Sequence, residues 1–200
     1  MAATNGIGKM RVLGVDPAAA GATGFAVIEL DGATARSLRF GALKFPVRAA
    51  FSARLCEIHK LIAELVEEYS PDAVAVESVF TALNMRTALK LAEIRGVVLL
   101  AAAQASVPAH SYSPREVKAS IAGYGAATKQ QMQHMVSVQL GLRERPEPPD
   151  AADALAVALC HAHVANAKAR MAAAMASRTG ASRIAPDART HSRSARVQTI

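Results

Sequence analysis

Short apolar runs open the chain, and longer stripes with helical spacing follow them. β-prone runs at residues 11–15 and 25–30, and a third near residues 37–44, predict three strands. Asp31-Gly32 is a hairpin signal between the second and third runs. We therefore expect three antiparallel strands at the start of the fold.

Helices alternate with two more strands beyond residue 50. Apolar residues at helical spacing from Phe51 to Tyr69 predict an amphipathic helix that Pro71 closes. The remaining elements predicted up to residue 141 are a strand at 73–77, a helix at about 85–105, a strand at 107–112, and helices with capping-box starts at Ser113 and Thr128 that stop near Gly123 and Gly141. This pattern predicts an α/β fold with a five-stranded mixed sheet and helices on both faces.

A strongly apolar helix is predicted to start at Pro149 and to run to about Asn166. Its first turn carries Asp150 and Asp153, which lie on the same helix face and repel each other. One interpretation is a helix start with two solvated acids, of which Asp150 is the cap. The other is a buried carboxylate pair, which requires a proton or a metal ion to neutralise it.

Two further acids, Asp16 and Glu77, end apolar strand-like runs. If the first and fourth strands are neighbours, these two acids lie at one edge of the sheet, and a helix packed across that edge adds Asp150 and Asp153. Four carboxylates in one pocket are strongly destabilising without cations. Hard oxygen ligands suit Mg²⁺, and two such ions activate water and stabilise the leaving oxygen in phosphodiester cleavage.

The cysteines and histidines offer a weaker metal hypothesis. Cys160, His161 and His163 lie close together on one helix but do not converge well on an ion, so we interpret them as core and surface residues. Cys56 and Cys160 are predicted to be reduced core thiols of a cytoplasmic protein, without a disulfide. No apolar stretch is long enough to span a membrane, and we expect no signal peptide.

The net charge of +7 is concentrated at the end of the chain. Residues 167–200 carry seven Lys or Arg against Asp187 alone, which leaves a net charge of only +1 in residues 1–166. We predict an N-terminal extension at 1–9, one domain at 10–166 and a basic, disordered tail at 167–200. Basicity therefore suggests nucleic-acid binding mainly through the tail.

Three ordered motifs make a specific resemblance: Gly14-Val-Asp16-Pro17, Val76-Glu77-Ser-Val-Phe80 and Asp150-Ala-Ala-Asp153-Ala-Leu155. Together they resemble the RuvC-type Holliday-junction resolvases of the ribonuclease-H-like superfamily. The resemblance covers roughly residues 10–165 and includes Ala88–Leu91, Arg95-Gly96, Val117-Lys118, Lys129 and Gln133–Val136. One departure lies near the first acid, where the family usually has glycine and this chain has Ala18, in a loop that is one residue longer.

The resemblance implies Mg²⁺-dependent dual incision of four-way DNA junctions by a homodimer. It implies two metal ions per active site, with Mn²⁺ as an acceptable substitute, and partners of the RuvA and RuvB type for junction binding and branch migration. It assigns Asp16, Glu77, Asp150 and Asp153 as catalytic metal ligands. The residues that it assigns to DNA binding are Phe80, Asn84, Arg86, Lys118 and Lys129.

Phe80 has two interpretations, as a structural cover for the next helix or as an aromatic that stacks on an unpaired base. The function has alternatives too. Another ribonuclease-H-like nuclease that cuts RNA/DNA hybrids needs the same four acids, and a non-catalytic DNA-binding protein would use the basic tail. A kinase or ATPase of the actin-like type is disfavoured because it needs two such domains, and 200 residues are too few.

Overall fold

Five strands form one mixed sheet in a computed structural model of the chain, which describes residues 8–78 and 84–181, with side chains as far as Ser177. β1 (Met10–Asp16), β2 (Thr23–Asp31) and β3 (Thr34–Leu43) are antiparallel neighbours. β4 (Ala73–Glu77) pairs in parallel with β1, and β5 (Ala109–Tyr112) pairs in parallel with β4. The spatial order β3-β2-β1-β4-β5 confirms the predicted mixed sheet.

Helices cover both faces of this sheet, as predicted. α1 (Phe51–Tyr69) and α2 (Met85–Gln104) pack on one face, where Leu13 and Val15 join the buried side chains of both helices. α3 (Pro114–Ala122), α4 (Lys129–Gln139) and α5 (Pro149–Ala181) pack on the other face around Val12 and Ala26. Successive β1 residues thus enter two different cores, because side chains alternate along a strand.

Two glycines allow α5 to lie directly on the sheet. A Cβ added to Gly14 would be 2.8 Å from the Cβ of Ala158, and one added to Gly24 would be 2.7 Å from the carbonyl carbon of Asp150. Real Cβ atoms do not approach other atoms so closely, so any side chain at Gly24 would push the first turn of α5 away. Glycine at this position therefore sets the height of Asp150 above β2.

Two predictions about the helices are wrong. α5 continues to Ala181 rather than ending near Asn166. Its added part is rich in Ala, Met, Lys and Arg, which have high intrinsic helix propensity and do not require a buried face.

Cys56 is exposed, because it lies two residues before the buried Ile58 and therefore on the opposite side of α1. Cys160 is buried as predicted, and both thiols are free.

The helix starts at Ser113 and Thr128 are confirmed in detail. Each of these residues accepts a hydrogen bond from the third helical N–H. The side-chain oxygens of Glu116 and Gln131 in turn accept hydrogen bonds from the backbone N–H groups of Ser113 and Thr128. Such capping boxes satisfy N–H groups that a helix start leaves free. They fix the first turns of α3 and α4, which face the same sheet edge as Asp153.

Candidate active site

Asp16 and Glu77 are brought together by the pairing of their strands. β1 and β4 are parallel with Val15 opposite Val76, so the next residue of each strand emerges at the same edge. Burial, the charge of Glu77 and a hydrogen bond with Glu77 are the main causes that together raise the pKa of Asp16 to about 9. The same hydrogen bond lowers the pKa of Glu77, although burial raises that pKa overall. The pair thus holds a proton on Asp16.

The first turn of α5 adds the two other acids. Asp153 and Asp150 both raise the pKa of Asp16 through their charges, and Asp153 also raises that of Glu77. We call Asp16, Glu77, Asp150 and Asp153 the acid cluster. The three other carboxylates therefore all act on Asp16 at one edge of the sheet, at the position that the strand and helix patterns predict.

The acid cluster suits a divalent cation by its chemistry. It offers only carboxylate oxygens, which are the ligands that Mg²⁺ prefers, and burial together with the charges of neighbouring acids raises the pKa values of Asp16 and Glu77. In residues 8–78 and 84–181, however, no group of three or more His, Cys, Asp or Glu side chains is arranged closely enough to hold an ion as it stands. One oxygen of Asp153 instead accepts a hydrogen bond of 2.9 Å from Lys129 Nζ.

A pocket of about 240 Å³ opens beside the acid cluster, and we call it the lysine pocket. Its lining includes two acids, Glu77 and Asp153, and two lysines, Lys118 of α3 and Lys129 of α4. The charge of Lys118 lowers the pKa of Glu77, and the hydrogen bond to Asp153 raises the pKa of Lys129. Lys118 therefore lies near Glu77 and Lys129 lies beside Asp153, where both lysines are suited to contact a bound phosphate.

The other predicted DNA-binding residues are placed differently. Asn84 caps α2 by accepting a hydrogen bond of 2.9 Å from the backbone N–H of Thr87. Arg86 is exposed and lines a separate surface pocket with Lys90 and the loop at residues 17–20. Phe80 lies outside the described residues. Asn84 thus has a structural role that the sequence did not indicate, and a DNA contact of Asn84 stays a prediction.

The histidines near the end of the sheet form no metal site among the described residues. His161 is buried and shares a hydrogen bond of 2.8 Å with the hydroxyl of Tyr112. Burial lowers the pKa of His161 to about 4, so the ring is neutral at pH 7. His163 is half-buried and bonds Ser120. This arrangement agrees with the interpretation of these residues as parts of the core and its margin.

Arg54 is a residue near the site that the sequence did not indicate. Its guanidinium donates to the carbonyl oxygens of Ala19 and Gly21 at 3.4 and 3.3 Å and lies 4.6 Å from the ring centre of Phe45. Arg54 thereby holds the loop that follows Asp16, which is the loop that departs from the family pattern. No sequence motif marks this role, because the arginine is 38 residues away from Asp16.

Comparisons with known proteins assign the chain to a family. A sequence model described as "Crossover junction endodeoxyribonuclease RuvC" matches residues 12–161, a range that contains the whole acid cluster. The protein of that name from Chloroflexus aggregans is 46% identical over 156 residues, covering 78% of this chain and 94% of the relative. That from Syntrophomonas wolfei is 44% identical over 154 residues, covering 77% and 89%.

Solved structures agree with the sequence comparison. Thermus thermophilus RuvC, solved in complex with Holliday junction substrate, superposes with a TM-score of 0.75 at 38% identity, covering 80% of this chain and 97% of that one. The yeast mitochondrial resolvase Ydc2, with a TM-score of 0.60 and 14% identity over 81% of each chain, shares the fold alone. The sheet and helices described above are thus the ribonuclease-H-like fold of these structures, and the chain belongs to the RuvC family of crossover junction endodeoxyribonucleases.

Proposed function

We propose that this protein resolves Holliday junctions in recombination and repair by Mg²⁺-dependent hydrolysis of phosphodiesters in two strands of like polarity. Its family consists of metal-dependent nucleases, and a relative of 38% identity was solved with Holliday junction substrate. The observation that carries the proposal is the half-buried acid cluster, in which Asp16 interacts with three other carboxylates and has a pKa of about 9. Such a cluster costs stability unless cations enter it, and phosphodiester cleavage uses those cations.

The acids and lysines take separate roles in this proposal. Asp16, Glu77, Asp150 and Asp153 would hold two Mg²⁺ ions, or Mn²⁺ in their place, and these ions supply an activated water and stabilise the leaving oxygen. Lys118 and Lys129, which line the lysine pocket with Glu77 and Asp153, would orient the scissile phosphate. Lys129 contacts Asp153 at 2.9 Å, so it lies beside a metal ligand and within reach of the same phosphate.

A homodimer fits the twofold symmetry of the substrate, because two strands must be cut and one site cuts one strand. An exposed stripe on α2 supports this part of the proposal. Met85, Leu89 and Leu100 are 74%, 56% and 53% exposed and follow one helix face, with the exposed Gly96 between them. Apolar surface of this kind is typical of subunit contacts. We further propose that RuvA- and RuvB-type partners deliver the junction to this dimer.

Cleavage of a synthetic four-way junction in Mg²⁺ tests the proposal. We expect the wild type to make paired incisions, and Asp16→Asn and Glu77→Gln to make none, because each variant loses a carboxylate of the acid cluster. In metal-free buffer at pH 7, Glu77→Gln should bind the junction as tightly as the wild type or more tightly, since removing negative charge near phosphates lowers repulsion. Asp16→Asn should bind about as tightly as the wild type, because the Asp16 carboxyl is already protonated there.

Glu68→Gln is the matched control, because Glu68 lies on α1 and pairs with Arg39 on the surface. This control should cut like the wild type. An RNA/DNA hybrid and a linear duplex of the same sequence serve as alternative substrates. Preferential cutting of the hybrid, or substantial cutting by Asp16→Asn, would contradict the proposed activity.

A further inference from the structure

The acid cluster is flanked by a second, larger pocket on the side away from the lysine pocket. This cavity of about 570 Å³, which we call the outer pocket, is lined by Asp150, by the loop at residues 20–22 and by the segment from Lys44 to Val47, with Arg54. Asp153 lines the lysine pocket and Asp150 lines the outer pocket. The first turn of α5 thus lies between the two cavities and contributes one acid to the lining of each.

The outer pocket carries two cations of different character. Arg54 is fixed in its wall by the carbonyl oxygens of Ala19 and Gly21 and by Phe45. Lys44 follows the last residue of β3, and its side chain is exposed. Within the described part of the chain, Lys44 forms no ion pair with any carboxylate. Lys44 is therefore available to a ligand, whereas Arg54 is engaged in holding the loop.

A DNA strand that places one phosphate at the acid cluster must place its neighbouring phosphates on both sides of it. Successive phosphates of one strand are about 3.4 Å apart along the helix axis and somewhat farther apart through space, so the flanking phosphates still lie close to the four acids. Carboxylates repel them unless cations stand on each side. Lys118 and Lys129 provide positive charge on one side. Among the cavities described above, only the outer pocket places a lysine and an arginine beside Asp150, on the other side.

We propose that the outer pocket is a second phosphate-binding subsite, in which Lys44 contacts the backbone of the cleaved strand on the side of the scissile bond opposite to Lys118 and Lys129. This inference rests on the proposed function, since it takes the acid cluster as the position of the scissile phosphate. The strand then crosses the first turn of α5, from the lysine pocket over Asp153 and Asp150 to Lys44. Arg54 adds positive charge to the wall and keeps the pocket open by holding the loop at residues 19–21.

Salt-dependent binding tests whether Lys44 contacts a phosphate. Affinity for a labelled four-way junction is measured in EDTA at several KCl concentrations for the wild type, Lys44→Ala and Lys44→Glu. Each phosphate contact contributes about 0.7–0.9 to the slope of log Kd against log salt, so Lys44→Ala should lower the slope by about that amount. Lys9→Ala is the matched control, because it removes the same charge beside the opposite end of β1. This control should retain the wild-type slope.

A scan with neutral phosphates locates the contact. Single methylphosphonates are placed along the cleaved strand on either side of the incision, and binding is measured for the wild type and for Lys44→Ala. We expect one or two positions on one side to weaken the wild type about three- to ten-fold and to have little further effect on Lys44→Ala, which is the sign of direct coupling. Lys118→Ala should show the same coupling to positions on the other side.

The outcomes separate this inference from the proposed function. Wild-type protein that cuts the junction, together with Lys44 variants that keep the wild-type slope and couple to no phosphate, overturns the outer pocket as a subsite and leaves the activity intact. Wild-type protein that binds without cutting, with Lys44 coupled to flanking phosphates, supports the subsite and refutes the activity. Equal melting temperatures of the wild type and the Lys44 variants are expected, since an exposed side chain without an ion pair contributes little to stability.

Discussion

Asp16→Asn should stabilise the metal-free protein although it abolishes cleavage. Burial and the neighbouring acids raise the pKa of Asp16 from its ordinary value of 3.8 to about 9. A carboxyl group whose pKa is higher in the folded state favours folding only when it is protonated. The free energy of unfolding of the wild type should therefore fall as the pH rises from about 4 to about 9, and asparagine, which carries no charge, removes this loss.

The size of the effect follows from the interval between the two pKa values. The ordinary pKa of 3.8 lies about three units below pH 7. At about 1.4 kcal/mol per unit, the wild type loses roughly 4 kcal/mol of unfolding free energy over this interval. The proton shared with Glu77 and relaxation of the partly exposed Asp16 side chain reduce the expected gain to about 2–4 kcal/mol. For a chain of this length, that gain raises the melting temperature by roughly 5–15 °C.

Thermal unfolding in EDTA between pH 5 and pH 8 measures the difference between Asp16→Asn and the wild type. The difference should be small near pH 5 and grow with pH. Asp31→Asn, at an exposed position 4.0 Å from Lys9 Nζ, is the control and should track the wild type. Mg²⁺ should then raise the melting temperature of the wild type more than that of Asp16→Asn, because only binding to the folded state stabilises it. An Asp16→Asn protein that melts at or below the wild-type temperature at pH 8 refutes the reasoning.

Two further substitutions probe how the site is built. Gly24→Ala should lower stability by about 1–3 kcal/mol and impair cutting, because the added Cβ overlaps the carbonyl group of Asp150. A fully active and equally stable variant would show that α5 does not need this close approach. Phe80→Ala should slow junction cutting sharply while the melting temperature stays unchanged, as expected for a residue that stacks on a base. A loss of about 3–5 kcal/mol in stability would instead identify Phe80 as a core residue.

Local pattern was sufficient for most elements of this fold. The helix from Phe51 to Tyr69 and the strand from Ala73 to Glu77 have the predicted bounds, because their apolar spacing and flanking breakers act over a few residues. The capping boxes at Ser113 and Thr128 are likewise local and are confirmed. The end of α5 was misplaced because the prediction used burial as its criterion, whereas the Ala-rich stretch after Asn166 also favours a helix, and α5 continues to Ala181.

Sequence alone also identified the four acids, since each stands where an apolar strand ends or an apolar helix begins. Only the tertiary structure decided their protonation and their partners, because pKa shifts and ion pairs depend on groups that are distant along the chain. The pairing of β1 with β4 sets Asp16 against Glu77, and α4 brings Lys129 to Asp153. The outer pocket, with Lys44 and Arg54 beside Asp150, joins segments about 100 residues apart. No local sequence pattern predicts that these residues are neighbours, because their proximity results from the packing of α1 and α5 on opposite faces of one sheet.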